Sequence, residues 1–76
     1  MTISKTIEHL SVLTSHITFK YKGKDCGIDP LSHNRFDMWY GHANITAKSV
    51  DEVFNVKFFD DKSLTDIWDD VTEFWY

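Results

Sequence analysis

From His16 the apolar side chains of this chain recur at every second position, and the pattern returns nineteen residues later. Ile17, Phe19 and Tyr21 alternate with Thr18, Lys20 and Lys22; Phe36, Met38 and Tyr40 then stand opposed to Asp37 and Trp39. A period of two belongs to a strand, whose successive side chains point to opposite faces, so both runs predict half-buried β-strands. Lys22-Gly23-Lys24-Asp25 and Ser32-His33-Asn34 carry turn residues between them. Cys26 to Asp29 is positioned to pair back as a short second strand, and Pro30, with no N–H to donate, is expected to end it. Three sequential strands over residues 16–40 predict an antiparallel meander.

Helical patterns flank the meander. Between Ser4 and Ser15, Ile7, Leu10 and Leu13 fall near helical spacing, with Ile3 one turn earlier and Lys5, Glu8 and His9 elsewhere on the wheel. Gly41 to Lys48 is polar and reads as a loop, in which Ile45 could extend or add a strand. Two helix starts follow. Ser49 with Glu52, and Ser63 with Asp66, each set a hydroxyl three residues before an acid, the pattern that caps unpaired N-terminal amides. Val50, Val53 and Phe54 form the apolar face behind the first cap. Leu64, Ile67, Trp68, Val71 and Trp75 form a longer stripe behind the second. Phe58 and Phe59 lie on the link between them and point opposite ways if it is extended, so one should be the more exposed. Asp69, Asp70 and Glu73 oppose the negative end of the last helix dipole, so that helix should stop near Val71 or Thr72. Glu73 to Tyr76 would then run extended against a sheet edge. With 76 residues there is room for one core, so residues 1–76 are read as a single α+β domain. Its parts are an N-terminal helix, a three-stranded antiparallel meander and two short C-terminal helices packed on the sheet.

Composition narrows the chemistry. Twelve acidic against eight basic residues give a formal charge of −4, which disfavours general nucleic-acid binding. One cysteine, Cys26, cannot form an internal disulfide, and a reducing cytoplasm fits it best. No apolar run approaches the roughly 20 residues that span a bilayer, so no membrane role is expected. Asn44-Ile45-Thr46 matches a glycosylation sequon, but nothing else points to export.

Cys26 and the four histidines, His9, His16, His33 and His42, include no pair at zinc-ligand spacing, and the meander separates them, so no metal is expected. Cys26 with His42 lacks a strained turn or a third orienting residue, so no catalytic nucleophile is expected either. Asp60-Asp61 and Asp69-Asp70 are adjacent pairs whose side chains diverge, which reads as a solvated acidic face rather than a cation site. The glycines at 23, 27 and 41 are too scattered for a phosphate loop, and no cofactor or small-molecule ligand is inferred. Lys20 and Lys22 share a predicted sheet face with Trp39, the only basic and aromatic patch; lysines on strands more often guard an edge than bind nucleic acid.

What remains is an excess of rings. All twelve aromatic residues lie at or after position 19, and the stretch from Ser63 to Tyr76 has four acids and no Lys or Arg. Trp39 faces away from Phe36, Met38 and Tyr40, and three consecutive rings, Phe74, Trp75 and Tyr76, exceed what one stripe can bury. The expected function is therefore a non-enzymatic accessory or binding module. Its expected partner-binding surface comprises Trp39, Asp69, Asp70, Glu73, Phe74, Trp75 and Tyr76, and its partner is another protein or a second copy. An acidic mimic of nucleic-acid charge that inhibits a DNA-binding protein is the first alternative. A small metal- or thiol-dependent enzyme using Cys26, His42 and Asp29 is the second.

Overall fold

The computed structural model describes residues 2–12 and 16–75. Thr2 opens helix α1 (Ile3–Ser11) by accepting the Lys5 N–H at 3.2 Å. The buried Thr6 hydroxyl donates to the Thr2 carbonyl at 2.9 Å, so its burial leaves no unmet polar group. The inward face runs through Ile3, Thr6 and Leu10, whereas Ile7, which the spacing placed inward, is 38% exposed. The end of the expected helix, Leu13 to Ser15, lies outside the described residues.

Among the described residues the sheet has five antiparallel strands, not three: β1 (Ile17–Tyr21), β2 (Lys24–Ser32), β3 (Arg35–Tyr40), β4 (Ala43–Ala47) and β5 (Thr72–Trp75). Their order is β4-β3-β2-β1-β5. Two-residue turns at Lys22-Gly23 and Gly41-His42 join β1 to β2 and β3 to β4; Lys22, Gly23 and Gly41 take positive φ, the geometry that matches strand twist. The polar stretch read as a loop is thus β4, paired to β3 from Tyr40↔Ala43 to Phe36↔Ala47. An edge strand with one open face needs few apolar residues, and Ile45 and Ala47 suffice.

β2 also runs through Pro30, which pairs with Phe36. Residues flanking a two-residue hairpin turn exchange both ladder bonds, and the direction then alternates. From Tyr21↔Lys24, the backbone of residues 24, 26 and 28 faces β1, as would that of Pro30. β1 begins at Ile17, opposite Ile28, so the missing N–H falls past the start of that ladder and costs no bond to β3.

One sheet face carries the core. Ile17, Phe19, Tyr21, Cys26, Ile28, Phe36, Met38 and Tyr40 form a single cluster with Leu10 of α1, Val53 and Phe54 of α2 (Val50–Asn55), and Leu64 and Ile67 of α3 (Leu64–Ile67). Ser49 caps α2, and Ser63 with Asp66 closes a reciprocal capping box on α3. Phe59 is fully buried and Phe58 half-buried, the asymmetry expected of that link. After Ile67 the chain tightens into a 3-10 turn (Trp68–Asp70) and passes into β5. The α-helix thus stops at Ile67, earlier than the Val71 or Thr72 expected, and only the 3-10 turn carries helical geometry on to Asp70. Trp75, assigned to the helical stripe, is instead a strand residue.

Candidate functional site on the uncovered sheet face

The helices all lie on one side of the sheet, and alternation delivers a different set of side chains to the other. Thr18 and Lys20 come from β1, Asp25, Gly27 and Asp29 from β2, Asp37 and Trp39 from β3, Asn44 and Thr46 from β4. Among the described residues no helix covers this face.

The fifth strand completes it. On the β1 side the step from Thr18 to Lys20 is two residues; on β5 the matching step, Trp75 to Thr72, is three. The extra residue is absorbed in a bulge at Glu73, whose φ of 51° is left-handed. The bulge turns Phe74 inward, stacked on Phe19 at 6.1 Å between centroids and edge-on to Trp68 at 5.6 Å. Trp75 is left outward, 73% exposed.

Register then aligns one row across the sheet: Trp75, Thr18, Gly27, Trp39, Asn44. Two tryptophans are separated by two small residues, about 14 Å apart at ordinary strand spacing. Gly27 is required there, because a Cβ at 27 would overlap Cζ2 of the Trp39 indole. The ring lies flat over bare backbone, which half-buries it without a helix above. Between the tryptophans is a cleft of about 340 Å³ lined by Thr18, Lys20, Asp25, Trp39, Glu73 and Trp75.

Charge on the face is mainly acidic. Lys20 Nζ is 3.6 Å from Asp25 Oδ1, an exposed pair of small energetic weight. Asp37 and Asp29 stand directly opposite each other on β3 and β2. Asp37 accepts from the Thr46 hydroxyl at 3.1 Å and from Arg35 Nε at 3.5 Å, which offsets part of that like-charge opposition.

A second concavity, about 860 Å³, lies at the turn end of the sheet and includes Lys24, Tyr40, His42, Lys57, Asp60 and Asp61 in its lining. Phe59 and Lys62 exchange backbone bonds at 2.9 and 3.0 Å around Asp60 and Asp61, both at positive φ. That turn aims Asp60 Oδ2 at the Tyr40 hydroxyl and at Lys22 Nζ, each 3.0 Å away. The Lys22 and Tyr40 hydrogen bonds lower the Asp60 carboxyl below its usual range. Desolvation and then Asp60 raise the Tyr40 hydroxyl, so it remains a donor. This network ties the Phe59–Lys62 turn to the turn between β1 and β2 and to β3.

Of the expected surface, Trp39, Glu73 and Trp75 come together. Phe74 belongs to the opposite, core-facing side. Asp69 and Asp70 are exposed on the 3-10 turn and do not line the cleft, and Tyr76 lies outside the described residues. The basic patch is dispersed: Lys20 is on the face, but Lys22 sits in the turn and pairs with Asp60. Cys26 is buried, its Sγ donates to the Lys24 carbonyl at 3.5 Å, and burial pushes the thiol up to about 11, which keeps it protonated at neutral pH. Among the described residues no three His, Cys, Asp or Glu side chains converge as a metal site. No described helix is long and apolar enough to cross a membrane. Sequence reasoning missed Gly27 and the cleft floor at Thr18; an isolated glycine within a strand was the available signal of a close approach. Comparisons with family models, with curated proteins and with solved structures return no match.

Proposed function

We propose that this protein is a non-enzymatic binding module that holds a segment of another protein on its uncovered sheet face, with Trp39 and Trp75 as anchors. The observation that carries the reading is the register row Trp75-Thr18-Gly27-Trp39, which sets two large rings on either side of a small-residue floor. Trp39, seated over the Gly27 backbone, and Trp75 are large rings with few rotatable bonds, which supply contact area at low entropic cost, the property of interface hot spots. Asp25, Asp29, Asp37 and Glu73 outnumber Lys20 and Arg35 around them, which favours a partner segment combining basic and apolar side chains. The reading places the protein in a reducing cytoplasm, where its buried thiol needs no disulfide partner.

Selection of displayed random peptides against the protein tests it. The expected result is enrichment of sequences joining Arg or Lys to bulky apolar residues. Trp75→Ala should weaken the selected peptides by at least about tenfold, the effect of losing one hot spot. Peptides that bind Trp75→Ala and Trp39→Ala as well as they bind the native protein would defeat the proposal. Binding of that kind which also collapses with added salt would favour the acidic-decoy alternative.

A further inference from the structure

The two edges of the sheet are not alike. The β5 edge is bent by the bulge at Glu73 and carries that acid, two of the devices that stop one sheet from pairing with another. The β4 edge has neither. Its five residues, Ala43-Asn44-Ile45-Thr46-Ala47, include no charge, no proline and no glycine, and its pairing to β3 is unbroken in register. The strand also reads nearly the same in both directions, as alanine, polar, isoleucine, polar, alanine.

We propose that the outer edge of β4 pairs antiparallel with the same edge of a second copy of this chain, about a two-fold axis through Ile45. Three features of the strand meet the requirement of an isologous interface, that one surface complement itself. The first is side-chain matching. With Ile45 on the axis, Ala43 opposes Ala47 of the second copy, Asn44 opposes Thr46 and Ile45 opposes Ile45. No like charges face each other, and Asn44 with Thr46 forms a hydrogen-bonding pair.

The second is the direction of the backbone groups. Ala43 flanks the Gly41-His42 hairpin turn, so residues 43, 45 and 47 bond inward to β3 while Asn44 and Thr46 direct their N–H and C=O groups outward. Opposing Asn44 to Thr46 twice about the axis joins all four outward groups on each copy. Ile45 against Ile45 falls at the non-hydrogen-bonded position, where side chains approach most closely.

The third is electrostatic. Two copies of net charge −4 repel, and β4 is an edge segment at which they can meet without bringing acids together. The product is one continuous ten-stranded sheet. The row ending Trp39-Asn44 of one copy is continued by Thr46-Asp37-Asp29 of the other, so both uncovered faces merge about the axis.

Sedimentation over a concentration series tests the pairing independently of any ligand for the face. The native protein is expected to dimerise as concentration rises. N44K/T46K places like charges opposite each other at both 44-to-46 pairs, and should raise the dissociation constant by at least about tenfold. N44E/T46K makes the same pairs complementary, leaves the net charge at −4 and should dimerise at least as well as the native chain. Near-UV circular dichroism checks that both variants keep native packing. N44K/T46K reduces the magnitude of the net charge below 4, so its loss of dimer cannot come from general repulsion. A native chain that stays monomeric at the highest concentration, or two variants with the same dissociation constant, would overturn the pairing.

Discussion

Gly27 is where the uncovered face is made. Its φ is not left-handed, so backbone freedom is not what the position needs; the Trp39 indole occupies the space of a side chain. Gly27→Ala is expected to lift the ring, shift the Trp39 indole N–H resonance and cost about 1–3 kcal/mol, the range for overpacking a tight contact. An unmoved resonance would show that the ring does not depend on that glycine. Asp66 is a second residue with a measurable signature. It accepts from Lys57 Nζ at 2.9 Å and from the Ser63 N–H at 3.0 Å, and these bonds hold its carboxyl at about 2. Its folded pKa lies below the ordinary value of about 3.9. The stability it contributes is therefore full above about pH 4 and is lost as pH falls toward 2. Acid titration of Asp66→Asn should be flatter than that of the native protein over this window, and parallel curves would remove Asp66 from the account.

β5 joins the helical layer to the sheet, and its adjacent rings have opposite duties. Phe74 packs on Phe19 and Trp68, whereas Trp75 stands in solvent. Denaturant unfolding should find Phe74→Ala destabilised by about 2 kcal/mol and Trp75→Ala within about 0.5 kcal/mol of the native protein. Equal losses would mean that the bulge does not sort the two rings. Much at this scale was legible in the residues. Ser49 and Ser63 announced the helix starts, and Asp69, Asp70 and Glu73 announced that helical geometry would give out before Thr72, though the α-helix itself stops at Ile67. β4 was legible only as the strand that Ile45 could add within a polar stretch, because an edge strand open on one face needs only Ile45 and Ala47 inward and otherwise looks like a loop. Pro30 misled because the rule against proline in strands concerns the direction of one N–H, which depends on where the neighbouring strand begins.

At the scale of the whole molecule, one layer of helices covers one face of a five-stranded sheet, and the other face is left to the residues of the alternate parity. The sequence posed Trp39 and the C-terminal rings as a single surplus. Pairing divides it, since strand order decides that Trp75 falls in the same row as Trp39, and strand order is a long-range property that no local pattern carries. Trp68 serves the core, wedged between Phe54 and Phe74, whereas Trp39 and Trp75 are proposed as one binding surface. The three indole N–H groups can be followed separately in protein labelled with ¹⁵N at tryptophan, during titration with a selected basic-apolar peptide. The Trp39 and Trp75 signals are expected to move together along one saturable curve while Trp68 stays in place. Movement of Trp68 with Trp39 and Trp75 unchanged would rule out that shared surface.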